Sequence, residues 1–341
     1  MDSLTQIVLG ASVGEAVCGK KIGNKALLWG AVAGTIPDLD VMLGPFQDMV
    51  QYLSYHRSFS HSILFAVTVG PLLGWLFTKI FPKSPANFKD WSLLFFLGFF
   101  THALLDTCTT WGTQLLFPFS NYGYALYNIF VIDPFYTVPF LILVLSAVFY
   151  KRTSSIRSKL NYTALAISTM YLGFSFINQQ VASKAFKQAL SQKGIQYESY
   201  INKATPLNIL LWSITVKSEK GYYFGYYSLF DKAGQIEFDF MPANHYLLDK
   251  YRGHEKLERL LEITKGYYTV EESKEGNIII NDLRFGQFNG WQKNGDGTFV
   301  FEYHVSEDSD NELSFEQRNY RFIPDKDYLL AYVNRIAGKT Q

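Results

Sequence analysis

Seven side chains that can bind a metal ion lie in or beside apolar segments of the sequence. They are three histidines and four aspartates: Asp38, Asp40, His56, His61, His102, Asp106 and Asp133. A charged residue at membrane depth costs about 3 kcal/mol or more, so such residues are rare there and usually functional. Imidazole and carboxylate are also ligands of zinc, manganese and iron. These residues therefore predict a metal site in a membrane protein.

The pair His102 and Asp106 has the spacing of a helical metal motif. The two residues are four positions apart, which places an imidazole and a carboxylate on one face of a helix. Thr109 falls on the same face. A hydrogen-bonded His–Asp pair without a metal is the alternative for this spacing, but the neighbouring acidic residues favour ligation.

A second motif places a cation between two imidazoles. His56 and His61 enclose Arg57 and two serines. Their five-residue spacing does not fit one helix face, so we expect His56 in a loop and His61 in the first turn of a helix. Arg57 can bind a phosphate or carboxylate through two hydrogen bonds. Its alternative role is to extend toward lipid headgroups.

Two further acidic positions lie next to prolines. Asp38 and Asp40 follow Pro37, which should end a helix just before them. One carboxylate can bind a metal ion while the other orients a histidine or accepts a proton, although either aspartate also fits a cap or turn. Asp133 precedes Pro134, a capping pattern that explains this aspartate without a metal.

The distribution of charge divides the chain into two parts. Residues 1–178 contain 11 Lys/Arg and 8 Asp/Glu, whereas residues 179–341 contain 20 and 22. This change is typical of a boundary between a membrane domain and a soluble domain. The net charge of +1 gives no reason to expect a nucleic-acid partner. The two cysteines, Cys18 and Cys108, lie in apolar segments and do not suggest a disulfide framework.

The first part contains about six apolar helical segments. They cover residues 3–18, 26–43, 62–81, 91–111, 134–150 and 161–178. The third, fourth and sixth are near the length that crosses a membrane, and the others are short or interrupted. Irregular backbone at membrane depth is tolerated where it is buried in protein or lines a cavity. A site after Pro37 would explain the interruption of the second segment.

Basic residues predict the orientation of these segments. They are concentrated in the loops that follow the first, third and fifth segments: Lys20, Lys21, Lys25, Lys79, Lys83, Lys89, Lys151, Arg152, Arg157 and Lys159. The positive-inside rule makes this side cytoplasmic. The candidate ligands, and Gln6 in the first segment, then lie toward the outer leaflet of a multi-pass protein in the cytoplasmic (inner) membrane. Residues 179–341 lie outside the cytoplasm.

The second part has the pattern of a smaller α+β domain with antiparallel strands. Residues 222–229 and 235–240 predict a hairpin around a turn at 231–234. Residues 245–265 have helical spacing of leucines. We therefore expect a mainly α membrane domain at 1–178, followed by an extracytoplasmic α+β domain of unknown role at 179–341.

Five ordered motifs resemble those of the YdjM-type family. They are MDSLTQIVLG at residues 1–10, PDLD at 37–40, HRSFSH at 56–61, HALLD at 102–106, and TWGT at 110–113 with Pro118. The resemblance extends to about residue 150. It implies a bacterial membrane-bound, metal-dependent hydrolase of the kind once grouped as domain of unknown function 457.

The resemblance includes one departure. Many relatives carry a Thr–His pair where this chain has Thr5 and Gln6, which implies a smaller metal site or one with an amide ligand. The HxxxD spacing also resembles, more distantly, that of zinc-dependent phospholipase C and the P1-type nucleases. That second likeness is an analogy of motif alone.

These observations predict a metal-dependent hydrolase acting on a phosphoester or lipid-linked substrate among membrane lipids. One or two divalent ions, zinc first, would lower the pKa of a water molecule and polarise the substrate. We expect the metal ligands to be His56, His61, His102, Asp106 and Asp40. We expect catalytic roles for Asp38, Asp40 and Arg57. Further candidates are Asp133, Gln6 and Thr109.

Two other functions use the same residues. A metal-ion or proton transporter would need polar residues through the inner half of the membrane segments, where Glu15 is almost alone. A non-catalytic membrane protein would hold the metal as a structural element.

Overall fold

The computed structural model divides the chain into two compact units. It describes residues 1–232, 236–273, 276–292, 295, 297–307, 313–318, 320 and 323–339. The first unit contains Met1–Phe46, Tyr55–Phe176 and Pro206–Asn208. The second contains Gln47–Ser54, Ile177–Thr205 and Ile209–Gln341. Residues 233 and 234 of the predicted hairpin turn, and residue 235 after it, lie outside the described residues.

Helices dominate the chain up to residue 192. They are α1 (Ser3–Ile22), α2 (Asn24–Thr35), α3 (Met49–Tyr55), α4 (Ile63–Ile80), α5 (Phe88–Thr107), α6 (Pro134–Val148) and α7 (Ser155–Gln192). Two 3₁₀ segments, Ile36–Phe46 and Phe59–His61, lie between them. Among the described residues, the stretches long and apolar enough to cross a membrane are Asn24–Phe46, Ile63–Ile80 and Ser155–Gln192. The prediction of six membrane segments is therefore not confirmed.

The helix ends follow local sequence signals. Helix α2 ends at Thr35, and the backbone continues as the first 3₁₀ segment through Pro37, as the proline predicts. Helix α5 begins with a capping box in which Asn87 and Asp90 each accept a hydrogen bond from the other's backbone N–H. As a result, Asp38 and Asp40 follow directly after α2, and the HxxxD motif lies at the C-terminal end of α5.

Helices α1 and α2 pack at unusually close range. Gly10 and Gly14 of α1 face Gly30 and Gly34 of α2, and a Cβ atom added to Gly30 would lie 2.2 Å from the Gly10 carbonyl oxygen. Small residues four positions apart allow two helix backbones to approach in this way. Helix α5 also packs closely against α2: a Cβ atom added to Gly98 of α5 would meet the Ala33 side chain of α2. Glycine therefore sets the spacing between the helices that carry the site.

A buried ion pair joins α1 to α7. Arg157 donates to both carboxylate oxygens of Glu15 at 2.6 Å and to the Asn24 side chain at 2.6 Å. Both members are almost fully buried. A bidentate, charge-assisted pair of this kind satisfies both groups, so Glu15 has a partner within the helix packing.

The second unit contains two four-stranded antiparallel sheets. The first has the order β1 (Ser199–Ala204), β2 (Leu211–Lys217), β3 (Gly221–Ser228) and β4 (Phe238–Pro242). The other has the order β5 (Tyr268–Glu272), β6 (Ile278–Asp282), β7 (Glu302–Glu307) and β8 (Leu313–Arg318). Every pairing between neighbours is antiparallel, as the sequence predicts.

The helical elements of this unit differ from the prediction, which placed one helix at residues 245–265 and none at 326–336. Residues 245–265 are not one helix but a 3₁₀ segment (His245–Tyr251) followed by α8 (Glu255–Ile263). Gly253, between them, has a φ of +84°, which interrupts a right-handed helix. The chain then reaches α9 (Lys326–Ile336) after the sheets.

Replacing Gly30 tests the close packing of α1 and α2. We expect Gly30→Ala to lower the unfolding temperature in detergent, because the new methyl group meets backbone that cannot rotate away. Overpacking of this kind costs about 1–3 kcal/mol. Gly173→Ala is the matched control, since it lies in α7 with nothing within 4 Å of an added Cβ. Equal unfolding temperatures for the two variants would contradict the packing described.

Candidate metal centre

Four ligand atoms from three parts of the first unit converge on one point. Asp38 lies in the 3₁₀ segment after α2, His61 ends the second 3₁₀ segment, and His102 and Asp106 lie on the last turns of α5. Within the described residues, these four form the group that could hold a metal ion. The side chains of His61, His102 and Asp106 are fully buried, whereas 21% of the Asp38 side chain is exposed.

The distances between these atoms fit tetrahedral coordination. His61 Nε2 and His102 Nε2 are 3.2 Å apart, and Asp38 Oδ1 is 3.4 Å from each. Asp106 Oδ2 is 3.4 Å from His61 Nε2 and 3.7 Å from His102 Nε2. A tetrahedron with metal–ligand bonds of about 2.0–2.2 Å has edges of about 3.3–3.6 Å. Five of the six separations are therefore close to those of a tetrahedral metal site, and all four atoms lie within 4.8 Å of one another.

The tautomer of His102 gives independent support for a cation. Its Nδ1 lies 2.7 Å from the Gly34 carbonyl oxygen, so Nδ1 carries the proton and Nε2 presents a lone pair. Hydrogen bonding of the second ring nitrogen to a carbonyl is the usual support of a ligating histidine. That lone pair points toward His61 and two carboxylates, where a positive charge is needed.

Asp106 also has an oxygen without a hydrogen bond. Its buried Oδ2 accepts none from the described residues, although Arg57 Nε lies 3.0 Å away as an ion-pair contact. A buried, unsatisfied carboxylate oxygen is costly. Arg57 compensates part of the charge on Oδ2 without the geometry of a hydrogen bond, and a bound metal cation would contact this oxygen directly, so the atom fits the ligand role.

Protons and metal ions compete for His61. Burial lowers the pKa of this imidazole, but hydrogen bonds to the Asp106 and Asp38 carboxylates outweigh burial and raise the pKa above its ordinary value. The negative charges that favour a proton also favour a metal cation. Metal binding at such a position releases a proton.

Arg57 connects the second histidine motif to Asp106. In addition to the contact with Asp106, its Nη1 donates to Thr109 Oγ1 at 2.9 Å, and Thr109 Oγ1 donates to the Asp106 carbonyl at 2.8 Å. Arg57 has a φ of +61°, a conformation that is uncommon for residues other than glycine. A guanidinium group is thus held at the edge of the four ligands.

Asp40 and His56 lie beside the four ligands and are not among them. Asp40 Oδ1 is 3.2 Å from His56 Nδ1. The other oxygen, Oδ2, accepts from the Arg57 backbone N–H at 2.9 Å and lies 3.6 Å from His61 Nδ1. Asp40 is therefore placed to orient His56, whereas the Ser60 hydroxyl lies 3.0 Å from His61 Nδ1.

Gln6 contacts the group through a donor. Its Nε2 donates to Asp106 Oδ1 at 2.9 Å and to the His102 carbonyl at 3.3 Å. The Met1 amino group also pairs with Asp106 Oδ1. The structure therefore brings Gln6 to the site as a support for Asp106, in an orientation that the sequence does not indicate.

Asp133 has a different environment. It caps α6, accepting from the backbone N–H groups of Phe135 at 3.0 Å and Tyr136 at 3.3 Å, and from the Tyr171 hydroxyl at 2.8 Å. The four-residue group does not include it. The alternative reading of Asp133 as a helix cap therefore explains its contacts.

The Gly34 carbonyl, which accepts the hydrogen bond from His102, could not be recognised in the sequence. A backbone acceptor leaves no trace in residue type, and only the glycines at positions 10, 14, 30 and 34 signal that two helices approach closely. This spacing could have indicated the α1–α2 contact, but not which side chain would use the carbonyl.

Comparison with known proteins assigns the first part of the chain to a protein family. Residues 1–182 match the family model described as YdjM inner membrane protein. The chain is 26% identical over 235 residues to the Uncharacterized protein YfhP of Bacillus subtilis (strain 168), covering 66% of this chain and 68% of that protein. It is 27% identical over 144 residues to the Inner membrane protein YbcI of Escherichia coli (strain K12), covering 40% and 82%. No solved structure matches the chain.

Removing a ligand should remove bound metal. We expect His102→Ala and Asp38→Asn to weaken metal binding by more than about 100-fold, because even residues that only support a ligand contribute 10–100-fold. Metal titration and elemental analysis of detergent-purified protein measure this. Cys108→Ser is the control, since Cys108 is buried at the end of the same helix but outside the group. Full metal content in His102→Ala would refute the site as described.

Proposed function

The chain belongs to the YdjM inner membrane protein family, and on this basis we propose that it is a membrane-bound, metal-dependent hydrolase. The observation that carries the proposal is the convergence of Asp38, His61, His102 and Asp106, whose ligand atoms all lie within 4.8 Å of one another. A guanidinium group, that of Arg57, lies at its edge. Metal ligands beside a cation are the parts that hydrolysis of an anionic ester requires.

We assign the ligand role to those four residues and take zinc as the first candidate. Two imidazoles and two carboxylates suit zinc, and also manganese or iron. A bound ion would supply Lewis acidity, activating water for attack and polarising the substrate. The described residues provide one such group, which favours a single ion.

The exposed ligand favours catalysis over a structural role. Structural zinc sites are closed by four protein ligands, whereas a catalytic ion needs a further position for water or substrate. With four protein ligands here, that position would be a fifth one, as zinc sites adopt during catalysis. Asp38 is the ligand with an exposed side chain, and the other three are fully buried. A substrate would therefore approach from the Asp38 side.

Arg57 is proposed to hold the anionic part of the substrate. Its guanidinium is fixed by Asp106 and Thr109, and a planar guanidinium can present further N–H donors to phosphate or carboxylate oxygens. Thr109 is a positioning residue, because it acts on the substrate only through Arg57.

The surface around the site favours a lipid or lipid-linked substrate. The 3₁₀ segment that carries Asp38 also exposes large apolar side chains: Leu39, Val41, Met42, Leu43 and Phe46. Exposed apolar groups of this number mark contact with lipid or another apolar partner. A phosphoester whose alcohol is apolar would place its headgroup at the ligands and its chain along this segment.

Transport is the weaker alternative. It requires polar residues that can bind and release cargo beyond the site, and Glu15 was the candidate. In the structure Glu15 is held by two 2.6 Å hydrogen bonds from Arg157. This pairing supports a role in helix packing and favours hydrolysis over transport.

A panel of esters tests the hydrolase proposal. Detergent-purified protein should cleave a phosphodiester or phosphomonoester, lose this activity with a chelator and regain it when metal is returned. Asp38→Asn should reduce turnover by at least about 100-fold through loss of a ligand, whereas Cys108→Ser should not. A protein that binds metal but cleaves none of the esters would be assigned a structural metal site.

The orientation of the chain is a separate proposal. The basic loops place Lys83 in the cytoplasm and the second unit outside it. A reporter enzyme that is active only outside the cytoplasm should therefore work when fused after Gln341 and fail when fused after Lys83. The reverse pattern would place the site on the cytoplasmic face and exclude a substrate of the outer leaflet.

A further inference from the structure

The His56–Asp40 pair has a geometry that metal binding does not explain. His56 Nδ1 lies 3.2 Å from Asp40 Oδ1, and 14% of the His56 side chain is exposed. The ring centroids of His56 and His61 are 6.3 Å apart, so His56 is next to the ligands without joining them. A partly exposed imidazole held by a carboxylate is the arrangement of an oriented proton donor.

The loop around His56 is fixed at several points. The backbone N–H of Arg57 donates to Asp40 Oδ2 at 2.9 Å, and its carbonyl accepts from the Gln114 N–H at 2.9 Å. The Trp111 ring packs edge-on against the His56 ring at 5.2 Å. The left-handed backbone at Arg57 turns the chain sharply between His56 and Arg57. Strained backbone of this kind is retained where a structure requires a particular side-chain placement.

Resting on the proposed hydrolase function, we propose that His56 is the general acid that protonates the leaving group. Asp40 is its positioning residue. Asp40 accepts a hydrogen bond from Nδ1–H of His56 and orients the ring, so the proton is delivered from Nε2. His56 thus has a catalytic role in place of the ligand role that the sequence suggested.

The chemical step balances with water as the only co-reactant. As the water oxygen forms a bond to phosphorus, the bond from phosphorus to the alcohol oxygen breaks. The electron pair of that bond goes to the alcohol oxygen, which takes the Nε2 proton of His56. One proton of the attacking water passes to solvent and His56 Nε2 takes one proton back from solvent, which His56 can reach because 14% of its side chain is exposed. The products are an alcohol and a phosphate.

A comparison of two leaving groups tests the role of His56. A 4-nitrophenyl phosphoester releases a stable anion and needs no proton, whereas an alkyl phosphoester does. His56→Gln should lower turnover of the alkyl ester by about 100-fold or more, within the range of general acid catalysis. Turnover of the nitrophenyl ester should fall by less than about 10-fold. Metal content, measured by elemental analysis, should stay at the wild-type level.

Two more variants complete the experiment. Asp40→Asn keeps the imidazole of His56, so its turnover of the alkyl ester should fall less than in His56→Gln while turnover of the nitrophenyl ester stays nearly unchanged. This second variant keeps the test valid if His56→Gln fails to fold. His245→Gln changes a histidine of the second unit and should behave as wild type.

The outcomes separate this role from the hydrolase function itself. Loss of metal in His56→Gln, or equal loss on both esters, would overturn the general-acid role while wild-type activity leaves the hydrolase function in place. If the wild-type protein cleaves neither ester, the hydrolase function fails and the role of His56 fails with it.

Discussion

The structure depends on holding several electron-donating atoms together in a buried space. Among the side chains of the site, Asp38, Asp40 and Asp106 are acidic, and Arg57 supplies one positive charge. Two imidazole nitrogens face the same point. Burying such groups is unfavourable unless a cation compensates them. The three carboxylates outnumber the two positive groups, Arg57 and the Met1 amino group, that pair with Asp106, so binding of a metal cation would stabilise the fold of this region as well as supply its chemistry.

The spacing between the helices determines where these charged and polar groups lie. The close contact of Gly98 in α5 with Ala33 in α2 accompanies a distance of 2.7 Å between the Gly34 carbonyl and His102 Nδ1. A wider separation would remove this acceptor and leave the tautomer of His102 undefined. The 3₁₀ segment after α2 then turns Asp38 toward the ring of His102, at 3.4 Å. Small residues at the contact between α2 and α5 therefore determine which nitrogen of His102 is available to a metal ion.

Residue type and spacing predicted much, but not all, of this arrangement. The spacing of His102 and Asp106 predicted that the two residues belong to one group, and they do. Pro37 predicted the end of a helix, and helix α2 ends just before it. The number of membrane segments was not confirmed, because hydropathy does not distinguish a helix buried among others from one in lipid. The separation of His56 from the ligands could not be predicted. It depends on a left-handed residue at position 57 and on a carboxylate seventeen residues away, and both are tertiary features.

Gln6 acts on the site through a hydrogen bond to one of the candidate ligands. Its amide donates to Asp106 Oδ1, the oxygen on the far side of that carboxylate from the atom in the ligand group. This hydrogen bond fixes the carboxylate plane, so that Oδ2 points at His61 and His102. The amide oxygen of Gln6, Oε1, is buried and accepts no hydrogen bond from the described residues, so the side chain has a donor engaged with Asp106 and an acceptor that a cation could use. In this chain, position 6 therefore supports a candidate ligand through its N–H group, whereas an imidazole at the same position would present a ring nitrogen.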